Sequence, residues 1–130
     1  MALRFEQRVN DGLLVEAEGI ITIEDLIQAN DQIYSSREKI MALKYQIWDF
    51  QKVKDLISTA DDMRVLAAQD AEAAKLNPDM IIALISPWDL GFGMGRMWEA
   101  FVDQSNINTH VFRTREEAES WVESIKNPVA

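Results

Sequence analysis

The sequence predicts an α/β domain: a single mixed, mostly parallel five-stranded sheet with an N-terminal β-hairpin and about four helices, in the order β-β-α-β-α-β-α-β-α. Three observations lead there. Residues 80–85 are a continuous apolar run stopped by Pro87, as expected for a strand buried on both faces. Strand and helix patterns alternate after the first 20 residues, which demands right-handed crossovers and parallel pairing. Two alternating stretches flank Asn10-Asp11-Gly12, residues that tolerate the positive φ of a hairpin turn.

Taken in order, Leu3, Phe5, Gln7 and Val9 alternate with charged residues, a strand with one wet face. After the turn, Leu13, Val15 and Ala17 face one way and Leu14, Glu16 and Glu18 the other. Gly19 is expected to break the second strand. Thr22-Ile23-Glu24-Asp25 resembles a capping box, with Asp25 in the place usually taken by Glu. Ile23, Leu26, Ile27, Asn30, Ile33 and Tyr34 then follow helical spacing, and Ser35-Ser36 marks the end.

Residues 37–43 read as a connection, 44–50 as the third strand and 51–57 as a long loop. Ser58-Thr59-Ala60-Asp61 is a second capping-box candidate, with Ser58 as the cap. Ala60, Met63, Ala67, Ala71 and Ala74 form a stripe on the second helix, small enough to seat it close to a sheet. Asn77-Pro78 stops it. After the buried fourth strand, Gly91, Gly93 and Gly95 read as a turn, and Met94, Met97, Trp98, Phe101 and Val102 as the apolar face of the third helix. Residues 106–108 read as a loop and 109–113 as the fifth strand. Thr114-Arg115-Glu116-Glu117 is a full capping box, and Ala118, Trp121, Val122 and Ile125 repeat at i, i+3, i+4, i+7. Asn127-Pro128 ends this fourth helix. Residues 1–130 read as one domain, with no internal repeat or linker.

Composition excludes several classes of function. The formal net charge of −9 and pI near 4.5 repel a phosphate backbone and an anionic membrane surface, so neither nucleic acid nor membrane is an expected partner. The chain has no cysteine, hence no thiol nucleophile, disulfide or thiolate metal site. No apolar run approaches the roughly 20 residues of a membrane span, and the first ten residues lack the apolar core of a signal peptide. A cytoplasmic protein without cofactor or metal is the expectation.

Residues 12–26 resemble the opening of the SpoIIAA-like proteins, in which a hairpin strand runs into G-x-I-T-x-E-D-L; here that motif is Gly19 to Leu26. The resemblance continues at Trp48-Asp49, at Gly93-Met94-Gly95-Arg96-Met97-Trp98-Glu99, at Val111-Phe112-Arg113-Thr114, and at Glu117-Ala118 and Trp121. It covers nearly the whole chain and implies the fold of STAS domains such as the anti-sigma-factor antagonist. Those domains bind a kinase-like partner and are switched by phosphorylation of a serine at the start of the helix after the third strand. The resemblance places Ser58 there as a possible phosphosite, although the antagonist's Asp-Ser-Ser-Gly is replaced by Ile57-Ser58-Thr59-Ala60.

If the third and fourth strands run parallel, Trp48, Asp49, Trp88, Asp89, Gly93, Gly95 and Arg96 gather near one crevice at the strand ends, where α/β folds bind ligands. Asp49 or Asp89 can then pair with Arg96, beside aromatic rings that suit a small apolar ligand or a partner side chain. The same residues also serve as core rim and loop tie. The glycine triplet fits an anion site only loosely, because its spacing matches neither dinucleotide nor P-loop motifs. Asp61, Asp62, Asp70 and Glu72 read as a solvated helix face, and His110 is the only histidine. Bulky Met94, Met97, Trp98 and Phe101 admit a homodimer interface.

The function expected is a non-enzymatic STAS-like binding or regulatory domain that engages a protein partner or a small ligand. The alternative is a small enzyme or carrier for an apolar or anionic small molecule, with Asp49, Asp89 or His110 as its acid–base group.

Overall fold

The computed structural model describes residues 2–103 and 107–126. Its elements are β1 (Leu3–Arg8), β2 (Gly12–Thr22), α1 (Ile23–Ile33), α2 (Arg37–Ala42), β3 (Tyr45–Ile57), α3 (Ala60–Leu76), β4 (Ile81–Ile85), α4 (Asp89–Val102), β5 (Asn108–Phe112) and α5 (Arg115–Lys126). The sheet order is β1-β2-β3-β4-β5. β1 pairs antiparallel with β2, and the other neighbours are parallel. This is the mixed, mostly parallel sheet that the alternation predicts. The hairpin turns where expected, with Asn10 and Asp11 both at positive φ (62° and 61°).

Five departures have physical reasons. Gly19 does not end β2; it sits at φ +78° between two register shifts, so it bends a strand that runs on to Thr22. Residues 37–42 form a short helix, α2, capped by Ser36, whose side chain accepts from Lys39 N–H. Residues 51–57 are strand rather than loop: only Val53 is buried there, and the bulges hide the period-2 pattern. The cap of α3 is Thr59, not Ser58: Thr59 and Asp62 exchange the reciprocal capping-box bonds. Finally, α4 begins at Asp89, so Gly91, Gly93 and Gly95 lie inside its first turns rather than in a turn before it. The expected stop at Asn127-Pro128 and the loop residue Asn106 lie outside the described residues.

Period-2 alternation splits the apolar residues between two faces. Leu13, Val15, Trp48 and Ile82 belong to the larger core, with side chains of α1, α3 and α4. Leu14, Tyr45, Ile47, Ile81, Ala83 and Ile85 face the other way, against Ala118 and Val122 of α5.

β2 and β3 are much longer than β4, which has 5 residues. The last β3–β4 pair is Asp49↔Ile85. Beyond it, residues 50–57 pair only with β2, at Glu18–Thr22. A two-stranded ribbon thus overhangs the C-terminal edge of the parallel sheet.

Candidate functional site

A cavity of about 60 Å³ lies where the ribbon overhangs the sheet. β3 contributes Trp48, Phe50 and Leu56; β4 contributes Ile82 and Leu84, with Ser86 just past its end. α3 supplies Met63, Leu66 and Asp70, and α4 supplies Gly91, Met94, Gly95 and Trp98. The wall is therefore apolar, with Asn30, Asp70 and Ser86 as exceptions. The site lies at the carboxyl ends of parallel strands, where such folds hold ligands.

A buried polar chain closes one end. Trp48 Nε1 donates to Gln46 Oε1 (2.8 Å), and Gln46 Nε2 donates to Tyr34 Oη (2.8 Å). Tyr34 O–H donates to Asp70 Oδ1 (2.7 Å), and Trp98 Nε1 donates to Asp70 Oδ2 (2.8 Å). Each Asp70 oxygen accepts one bond, which satisfies groups that would otherwise be costly to bury. Burial still dominates: it pushes the Asp70 carboxyl up to about 6, against the two hydrogen bonds that hold it down. Tyr34 is held well above its ordinary value by burial and by the adjacent Asp70. Asp70 is thus a core residue (4% exposed), not part of a solvated face. Its signal lay in the spacing, for position 70 falls on the buried stripe of Met63, Ala67 and Ala74.

The other end is built differently. Ser86 is 1% exposed, and its Oγ has no hydrogen-bond partner among the described residues. Trp88 Nε1 is likewise buried and unpartnered. Trp88 is the N-cap of α4 and provides no side-chain cap, so the first N–H groups of that helix are not capped by it. Gly91 makes room for this corner: a Cβ placed there falls 2.2 Å from Ser86 Oγ and 3.1 Å from the Trp88 ring.

The residues expected at the crevice separate. Trp48 and Gly95 line the cavity, and Trp88 flanks it at Gly91. Asp49 is adjacent to Trp48 in a strand and so points to the opposite face. There its Oδ2 meets Arg115 Nη1 at 3.0 Å. Asp89 is exposed and pairs with Arg113 (2.8 Å), while Arg96 pairs with Glu99 (3.5 Å). The Asp–Arg96 pair considered from sequence therefore does not form. Gly93 is exposed on α4, with nothing within 4 Å of a built Cβ. His110 is half exposed beside Phe112 and Trp121, with Glu99 at 3.8 Å. Met94, Met97 and Phe101 are half-buried against the larger core, and Trp98 is buried. Among the described residues, no group of three or more His, Asp or Glu is placed to hold a metal, and no helix is long and apolar enough to cross a membrane.

No protein-family model and no curated protein matches the sequence. Solved structures that share the architecture include two of SpoIIAA. The anti-sigma factor antagonist SpoIIAA in its unphosphorylated form is 16% identical, with a TM-score of 0.60 over 94% of this chain and 98% of that one. The Bacillus cell fate determinant SpoIIAA in the phosphorylated form is 15% identical, with a TM-score of 0.60 over 93% and 99%. The fold is that of SpoIIAA. The likeness to SpoIIAA spans nearly the whole of both chains. At the start of α3, Ser58 stands one residue before the cap, half-buried, with Oγ 3.4 Å from Asp62 Oδ2.

Proposed function

We propose that the chain is a non-enzymatic STAS-like binding domain that takes a small apolar ligand in the cavity beneath the β2–β3 ribbon. The observation that carries this is the lining itself: apolar walls with a few buried polar groups are the general form of a small-molecule site, and a cavity of about 60 Å³ limits the ligand to a few heavy atoms. A binding role fits better than catalysis. Among the described residues, the only titratable group in the lining is Asp70, and both its oxygens are engaged by Tyr34 and Trp98. Asp49, Asp89 and His110, the acid–base candidates, do not line the cavity. Titration of the protein with isobutene, followed at the indole N–H resonances of Trp48 and Trp98, tests the reading. Saturable shifts are expected at both, and Leu66→Trp, which fills the cavity, is expected to abolish them. A wild-type protein that shows no saturable shift refutes it.

The SpoIIAA fold favours a second reading, a regulatory domain that engages a protein partner. Ile57, Val65 and Leu90 remain exposed on elements that frame the cavity, apolar surface that a partner would remove from water. If this surface is the contact, Leu90→Asp abolishes capture of the partner from cell extract while thermal unfolding stays unchanged. Unaltered capture removes the reading.

A further inference from the structure

We infer that the ligand is uncharged and carries an oxygen acceptor, a carbonyl in the simplest case, which sits against Ser86 Oγ at the start of α4. The inference rests on the cavity being a ligand site and adds the chemistry of what fills it.

The two ends of the site are not equivalent. Gln46, which reaches toward Asp70 through Tyr34, pairs with Ile82 in the sheet. Ser86 is four residues further along the chain, roughly 13 Å at the rise of a strand. At the Asp70 end every polar group named above has a partner. At the Ser86 end two donors are idle, the Ser86 hydroxyl and the Trp88 indole N–H. A buried hydroxyl without a partner has lost its hydration and gained nothing in exchange, a net cost to the fold. An acceptor delivered by a ligand removes that cost, and the polarity at the start of a helix favours a partial negative charge there.

Charge then selects among acceptors. No lysine, arginine or histidine lines the cavity, while Asp70 does. Arg113, near the start of α4, is committed to Pro87 O (3.0 Å) and Asp89 (2.8 Å). A carboxylate ligand would lose its hydration and gain no cation, in an enclosure that already holds an acidic group. A ketone, aldehyde, ester or amide oxygen takes the same donors without that penalty. Gly91 supports the reading sterically, since any side chain there would displace the Ser86 hydroxyl from the corner.

The test compares three probes of four heavy atoms each, sized to the cavity, on the full chain at neutral pH: acetone, isobutene, in which C=CH2 replaces C=O, and acetate. Ser86→Ala should weaken acetone about tenfold and change isobutene by less than about twofold, the loss of one hydrogen bond from an otherwise intact apolar site. Gly91→Ala, which adds a methyl beside Ser86 Oγ, should weaken acetone at least as much as Ser86→Ala does. The carboxylate should bind more weakly than the ketone. The inference fails if both neutral probes weaken equally on Ser86→Ala, if acetone is indifferent to Ser86→Ala, or if the carboxylate binds best. Isobutene binding that persists in those cases leaves the apolar site standing. Failure of both neutral probes to bind the wild-type protein removes the site and the inference together.

Discussion

At the scale of single residues, Asp70 shapes the solution behaviour of the molecule. Its carboxyl titrates at about 6 in the fold against 3.8 unperturbed. Between those values the unfolded chain releases a proton that the folded chain keeps. Stability therefore falls as pH rises through that window, and the loss is complete above about pH 6. The size is about 3 kcal/mol. Asp70→Asn removes the titration. Its amide oxygen can still accept from Trp98, while its amide nitrogen obliges Tyr34 to accept. Urea unfolding from pH 4 to pH 7 should show the stability difference moving in favour of the Asn variant by about that amount. A pH-independent difference would mean that the carboxyl does not titrate in this range.

At the scale of elements, the three glycines of α4 separate helix propensity from packing. Gly93 is exposed, with open space around a built Cβ, so Gly93→Ala should stabilise by about 0.5–1 kcal/mol. Gly91→Ala gains the same backbone term but drives a methyl into Ser86 Oγ, and should show no net gain. Thermal unfolding of the two variants separates them, and equal stabilisation would contradict the close approach at Gly91. The start of α3 gives a second contrast. Thr59→Ala should cost about 1 kcal/mol because it removes the capping bond to Asp62 N–H. Ser58→Ala should cost less than half of that, since Ser58 Oγ reaches only the Asp62 side chain, at 3.4 Å. Equal losses would return the cap to Ser58. These elements also mark what the sequence could reveal. The hairpin, the mostly parallel pairing and the box at Thr22 follow from local rules: turn residues, periodicity and a hydroxyl three residues before a carboxylate; the second box was read one residue early, at Ser58, because two adjacent hydroxyls precede two adjacent carboxylates. The ribbon at residues 51–57 was hidden because its outward residues are polar and bulges break its period. The crevice was only half legible. Trp48 and Gly95 reach the cavity, but Trp48 and Asp49 were grouped although neighbours on a strand point apart. Ser86 gave no motif at all, because its isolation as a donor exists only in three dimensions.

At the scale of the whole molecule, the two sheet faces are unequally covered. The larger core packs against α1, α3 and α4, whereas the smaller one meets α5. An ion-pair network ties α5 down. Arg115 contacts Asp49 (3.0 Å) and Glu119 (2.9 Å), and Arg8 on β1 reaches Glu119 (2.9 Å). Asp49 is buried and also accepts from Gln51 N–H (2.9 Å). Arg115 remains one-third exposed, so solvent screens part of its attraction. Arg115→Met should therefore cost about 1–2 kcal/mol, less than the loss of a fully buried partner, and mostly by stranding the Asp49 carboxylate. That cause has a signature in a double-mutant cycle. With Asp49→Asn already present, no stranded charge remains, so the further change Arg115→Met should cost less than it does in the wild-type background. Urea unfolding of the four proteins measures the difference. Additive losses would show that Arg115 acts through Glu119 (2.9 Å) and Glu16 of β2 (4.0 Å) rather than through Asp49, leaving Asp49 satisfied by Gln51 alone.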